Sequence, residues 1–205
     1  MAEARPYHHG DLRRALIDAA RRILEAEGPS ALSLRAVARE AGVSPAAPYH
    51  HFKDKGELLE AVAQEGWQML EDVIAHAKAN AASPEEALNE IGVGYVCFAR
   101  DNPALYRVMY DTARENEALP DEMHEDKDSA YCKVRDTMVE AGGDPNDEID
   151  LELATIAAWC AAHGIAEMAG FKQFRPLKDA LGGEEEFLRA IFSHMGLAPS
   201  SHRPR

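Results

Sequence analysis

Cysteine is scarce in this chain. Cys97, Cys132 and Cys160 are odd in number, far apart and without CxxC spacing, which excludes a disulfide framework and a cysteine-built zinc site. Buried thiols are the expectation for all three. Long apolar runs are missing as well, since no stretch approaches the roughly 18 apolar residues of a spanning helix, so no membrane partner is expected. The N-terminal MAEARPYHHGDLRR lacks the apolar centre of a signal peptide, and a soluble, cytoplasmic protein is therefore expected. β-type alternation persists nowhere, which removes sheet-based folds and leaves an all-α chain. HExxH, a Gly-rich phosphate loop and a nucleophile–base motif are likewise missing. That argues against an enzyme and implies neither cofactor nor metal.

What the chain has in quantity is acid, and the acid is unevenly placed. The formal net charge is -14 over 205 residues. Residues 1 to 60 hold 9 basic and 9 acidic residues, against 13 and 27 in the remainder. Between Arg5 and Lys55 the balance is 9 basic to 6 acidic, and His8, His9, His50 and His51 fall in the same window. Such an asymmetry suggests two tasks, one compatible with an anionic polymer and one not.

Helical spacing recurs throughout. Residues 11 to 27 place Leu12, Leu16, Ala19, Ala20, Ile23 and Leu24 on one stripe, and Gly28-Pro29 ends that helix. Ser33 suits the N-cap of a short helix with Leu34, Val37 and Ala38 inward, closed by Ala41-Gly42. Ser44 can cap the next, with Pro45 at its first position. Helix, Gly-containing turn and second short helix make a helix-turn-helix. The stretch SPAAPYHHFKDK, residues 44 to 55, then poses a problem. Pro48 would be the fourth helical residue and deletes the bond to the Ser44 carbonyl, so this helix must be short or distorted. A long amphipathic segment over 55–80 follows, and further helices are expected over 84–100, 103–115, 120–141, 147–170 and 184–196. Ser83-Pro84, Asn102-Pro103 and Leu119-Pro120 supply starts, and Gly142-Gly143 and Gly182-Gly183 supply breaks.

GDLRRALIDAARRILEAEG, LSLRAVAREAGVS and YHHFKDKGELLEAV resemble the DNA-binding domain of the tetracycline-repressor (TetR/AcrR) family. Gly42, Val43, Tyr49, Phe52, Lys53, Lys55 and Leu58-Leu59 carry the resemblance. Trp159-Cys160-Ala161-Ala162-His163-Gly164 is similar to the Trp-x3-His-Gly signature of one C-terminal subgroup. The resemblance implies a helix-turn-helix DNA-binding domain over 1–55, a helical ligand-binding and dimerisation domain over 56–198, and a flexible tail over 199–205. It also implies a homodimeric transcription factor, usually a repressor, that leaves its double-stranded DNA operator when a small-molecule effector binds.

The DNA-binding residues expected on this basis are Ser33, Arg35, Ser44, Pro45, Ala46, Ala47, Tyr49, His50, Lys53 and Lys55. Tyr49 would donate to a phosphate oxygen, and Lys53 and Lys55 would neutralise phosphates, while Phe52 belongs to the core. The short helix contains no Arg, Asn or Gln, which excludes the commonest bidentate base contacts from within it. Ala methyls against thymine methyls and a His50 donor remain. Arg35 offers a guanine contact, a phosphate pair or plain solvent exposure. His50 and His51 point about 100° apart on a helix and do not suit one metal. His8-His9 beside Arg5 could form an arm against DNA.

For the effector, Trp67, Tyr95, Phe98, Tyr106, Met109, Tyr110 and Trp159, with Met168, are more large groups than one core layer needs, and they suit an apolar cavity with a few polar tips. His163 is either a structural histidine or one of those tips. Ala154, Ala157, Ala158, Ala161, Ala162 and Gly164, with the stripe Phe187, Leu188, Ile191, Phe192 and Met195, suit a two-fold interface through residues 147–170 and 184–196. The acidic runs Asp121 to Asp128 and Glu184 to Glu186 read as solvated faces that also repel DNA.

Overall fold

The computed structural model describes residues 12–115 and 129–196. The His8-His9 arm, the Asp121–Asp128 run, the helix start at Leu119-Pro120 and the tail over 199–205 lie outside the described residues. The fold is all-α. The chain divides into two compact units, Met1–Gly66 with Asn102–Glu117, and Trp67–Asp101 with Ala118–Arg205.

In the first unit, α1 (Leu12–Glu27) buries Leu16, Ile17, Ala19, Ala20, Ile23 and Leu24, the stripe its spacing predicts with Ile17 added. It packs on α2 (Leu34–Glu40) and on α5 (Pro103–Glu115). Ser33 caps α2, its Oγ accepting from Ala36 N–H at 3.1 Å. Gly42 ends α2 at φ +69°, letting Val43 N–H reach back to the Ala38 carbonyl at 2.9 Å. This left-handed turn is the position where a side chain would be strained.

No α-helix follows at Ser44. Ala47–His50 forms one 3-10 turn, with Ala47 N–H donating to the Ser44 carbonyl at 3.0 Å and Tyr49 N–H to that of Ala46 at 3.2 Å. Pro48 has no N–H to close the i→i−4 bond, so the three-residue pattern takes over. The Pro48 carbonyl then accepts from both His51 and Phe52 at 2.9 Å.

Helix α3 (Lys55–Asn80) begins with a reciprocal cap. Glu57 N–H donates to Asp54 Oδ1 at 3.0 Å, and the Glu57 carboxylate accepts from Lys53 N–H at 2.7 Å. The first unit continues to Gly66, well past the boundary at residue 55, and it takes in α5. A Cβ on Gly66 would fall 2.5 Å from Met109 Sδ and 3.0 Å from Leu105, so a side chain there would have to push Met109 aside where α3 meets α5.

In the second unit, α4 (Pro84–Asp101) is surrounded by α6 (Ala130–Glu140), α7 (Glu148–Met168) and α9 (Glu184–Met195). Its start is capped by Ser83 Oγ, which accepts from Glu86 N–H at 3.2 Å. A 3-10 turn at Lys172–Phe174 and a short helix α8 (Arg175–Leu181) precede α9. Residues 171–181 show no apolar period in the sequence. Pro176 in the first turn of α8 and Gly182 at φ +94° just after it supply a proper start and stop.

Two expectations change here. Cys160 is exposed and Cys97 and Cys132 are half-buried, so the thiols are not core groups. The Cys160 face of α7 is exposed among the described residues. Phe187, Leu188 and Phe192 are fully buried inside this unit, which leaves Met195 exposed from the stripe expected at an interface. A Cβ on Gly92 of α4 would lie 2.5 Å from the Phe192 ring, which explains where that ring goes.

Candidate nucleic-acid interface and effector cavity

The first unit builds a surface on rigid supports. Pro48 and Phe52 are buried and anchor the segment between them, and Arg13 lies over the Phe52 ring at 5.4 Å from its centroid. The side chains left outside are Ser44, Pro45, Ala46, Tyr49, His50 and Lys53, with Ala47 half-buried. Tyr49, an aromatic, is 54% exposed. Ser33 and Arg35 are exposed on α2 as well. The expected DNA-binding residues thus fall on α2, the turn and the start of α3 within one unit.

Their partners differ. Ser33 Oγ already caps α2. Lys55 Nζ donates to the Pro29 carbonyl at 2.7 Å, tying α3 to the loop after α1 and leaving two ammonium donors for other partners. Arg35, Tyr49, His50 and Lys53 have no side-chain partner among the described residues. Other arginines of this unit are engaged. Arg21 meets Glu65 at 3.0 Å, and Arg22 meets Glu40 at 2.8 Å. Arg39, absent from the residues read off the sequence, is exposed on α2 and equally unpaired among the described residues. Its place four residues after Arg35 was the available signal.

The second unit holds an aromatic cluster centred on Trp159. Trp67 stacks on it at 6.4 Å between centroids, Tyr95 meets it edge-on at 5.5 Å, and Tyr131 is tilted at 6.1 Å. Tyr95 OH lies 3.3 Å from His163 Nδ1. Tyr131 OH donates to the Glu152 carboxylate, and burial first, then that bond, raises the Tyr131 pKa. Beside the cluster is a cavity of about 20 Å³, lined by Tyr95 and Trp159 and by aliphatic groups including Ile74, Leu88, Ile91 and Val134. Phe98 is buried on α4 and is not part of this lining.

Of the expected ligand residues, Trp67, Tyr95, Trp159 and His163 come together. Tyr106, Met109 and Tyr110 belong to the first unit. They are buried on α5, where Tyr106 and Tyr110 pair at 5.0 Å. The aliphatic lining and Tyr131 were not singled out in the sequence, because their spacing is that of any buried helix face.

Residues 16–62 match the family described as bacterial regulatory proteins, tetR family. Residues 88–192 match the family described as tetracyclin repressor-like, C-terminal domain. The HTH-type transcriptional regulator BetI of Rhizobium meliloti (strain 1021) is 35% identical over 110 residues, covering 52% of this chain and 54% of BetI. The match thus spans about half the length of that relative. A protein with unknown function from Rhodococcus sp. RHA1 superposes with a TM-score of 0.67 at 28% identity, over 95% of this chain and 97% of the other. A TetR family transcription regulator from Marinobacter aquaeolei VT8 has a TM-score of 0.64 at 18% identity, over 92% and 94% of the two chains, a likeness of fold alone.

Proposed function

The chain belongs to the TetR family and is a transcriptional regulator, and from that premise we propose that it is a repressor that binds a palindromic operator as a homodimer and is released by a small apolar effector. The observation that carries this reading is the exposed set Arg35, Tyr49, His50 and Lys53, unpaired among the described residues and held on a segment anchored by Pro48 and Phe52. Unpaired cations and a phenol on rigid backbone suit a phosphate track. Formal charge supports the same division, because the acidic excess lies after residue 60.

The homodimer reading rests on α7. This helix has a mean hydropathy of 1.2 over its most apolar 18 residues, yet only 22% of that window is buried among the described residues. A helix apolar all round requires cover on every face. Ile149, Leu153, Ile156 and Met168 are 76%, 61%, 44% and 50% exposed, with Ala157, Cys160 and Gly164 exposed among them. A second copy of α7 supplies that cover, with the small residues permitting close approach.

The effector reading rests on the Trp159 cluster. A cavity of about 20 Å³ has room for roughly one water, so an effector enters by displacing side chains and selects a wider arrangement. Its lining calls for an apolar molecule, with one polar group for the Tyr95–His163 pair. Trp67 lies on the same helix as Lys55, so α3 offers a continuous element on which both ligands act. Coupling of about 5- to 150-fold in operator affinity is the usual range.

Selection of bound duplexes from a random pool tests this function. Enrichment of an inverted repeat, bound by two chains, is the expected result. A pool that stays random through successive rounds overturns it.

A further inference from the structure

The exposed stripe of α7 is uneven along its length. Its first half carries the large Ile149, Leu153 and Ile156, and its second half carries Cys160 and Gly164 before Met168 ends it. Steps of three or four residues keep all six on one face. A two-fold axis perpendicular to such a helix sets residues equidistant from its middle against each other. Leu153 then meets the partner's Gly164, and Ile149 the partner's Met168. A Cβ on Gly164 would touch nothing within 4 Å, so that spot is open to a side chain from outside. A parallel pair would instead stack Ile149, Leu153 and Ile156 on their own copies and leave a gap between the small residues.

The antiparallel order carries the next segment with it. Past Met168 the chain exposes Phe171, Leu177 and Leu181 at 51%, 52% and 41%, around the 3-10 turn and α8. Three large apolar groups so close together mark an interaction surface. Lys172 and Arg175 stand exposed among them and form no ion pair among the described residues, while Lys178 is held by Glu184. Glu167 and Asp179 trim this basic excess without reversing it. The other end of α7 has the opposite sign. Asp147, Glu148 and Asp150 are exposed at its start, beside the exposed Ile149.

Resting on the homodimer reading above, we propose that the second element of the two-fold interface is the segment 171–181, docked on the start of the partner's α7. Phe171 and Leu177 cover the partner's Ile149, and Lys172 and Arg175 pair with the partner's Glu148 and the partner's Asp150. Helix α9, whose Phe187, Leu188 and Phe192 are buried inside their own unit, takes no part. A parallel arrangement would bring acid to acid at one end, so the charges select the antiparallel order as the side-chain sizes do.

The test is sedimentation equilibrium of the full chain over a dilution series, with two charge-reversed variants. Lys172→Glu with Arg175→Glu, and separately Glu148→Arg with Asp150→Arg, should each raise the dimer dissociation constant by about 10- to 100-fold, since repulsion replaces attraction on both sides of the axis. An equimolar mixture of the two should dimerise within about threefold of the wild type, because every reversed charge then meets its opposite. Leu177→Ser, which changes no charge and leaves α7 intact, should weaken the dimer by about 10-fold. Reversed variants that dimerise like the wild type overturn the proposal, as does a mixture no tighter than its components when both melt as the wild type does. Should the α7 reversal not fold, the segment reversal and Leu177→Ser decide alone, and wild-type dimerisation in both overturns it. A wild-type chain that sediments as a monomer sinks the homodimer reading itself, and this docking falls with it.

Discussion

Lys55 Nζ and the Pro29 carbonyl, 2.7 Å apart, join the first residue of α3 to the loop that follows α1. A lysine read from sequence as a phosphate ligand is therefore also a strut. Lys55→Ala should cost about 1 kcal/mol in stability, less than the usual hydrogen bond from a charged group because the site is open to water. It should also flatten the salt dependence of operator binding by about 1.8, one phosphate contact being lost from each chain of the dimer, without altering sequence preference. Thermal melts and salt titrations separate the two roles, and a lower melting point with an unchanged slope leaves the strut alone.

Gly92 lines the cavity beside Trp159, and a Cβ there would meet the Phe192 ring at 2.5–2.8 Å. Gly92→Ala should push that ring aside and destabilise the chain by about 1–3 kcal/mol through overpacking. A melting temperature equal to the wild type would mean that α4 and α9 separate easily, and that the cavity opens at little cost.

Glu184 opens α9 with bonds to Lys178 Nζ at 2.6 Å and to Arg100 Nη1 at 3.3 Å. The Lys178 hydrogen bond, reinforced by the Lys178 and Arg100 charges and opposed by burial, holds its carboxyl below the usual range. A carboxyl so lowered adds stability that is full above its unfolded pKa, about 4.3, and is lost as pH falls through the folded value. Glu184→Gln should thus lower the melting temperature at pH 7 by about 2–4 °C, corresponding to about 1 kcal/mol. The difference should close as the pH approaches 3. A gap that persists at pH 3 would mean that packing, and not charge, accounts for it.

Ala157 is exposed and Ala161 half-buried on α7, beside the exposed Leu153 and Ile156. Glutamates at both positions would bring carboxylates together across a two-fold axis. Ala157→Glu with Ala161→Glu should sediment as a monomer and lose most operator affinity, because one half-site is then held at a time. A dimer in that variant places the interface on another surface.

The helical spans were legible wherever an apolar stripe ran up to a turn signal, as from Leu12 to Glu27 before Gly28-Pro29 and from Lys55 to Asn80 before Ser83-Pro84. Pro48 signalled that the segment after Ser44 departs from an α-helix, though not that it shortens to a single 3-10 turn. Helix α8 escaped notice because its seven residues, Arg175–Leu181, hold too few apolar positions to show a period. The grouping of the large aromatics was legible only in part. Large aromatics mark burial, but sequence spacing does not say which unit buries them, and the close approach at Gly66 takes α5 and its Tyr106, Met109 and Tyr110 into the first unit. Arg39 was missed for another reason: a charged residue on a helix reads as solvated until the neighbours that would pair with it are placed.

The central claim is that the exposed side chains between Ser33 and Lys55 hold the operator, and the most direct measurement is the affinity of a selected duplex for the wild-type chain and for the triple variant Arg35→Ala, Tyr49→Ala, Lys53→Ala. None of the three side chains has a partner among the described residues, so the variant should melt with the wild type. Its affinity should fall at least about 100-fold at physiological salt, with the salt slope reduced by up to about 3.6, since the dimer loses two cations from each chain. Equal affinity in a folded triple variant would contradict the account and place the DNA on some other surface.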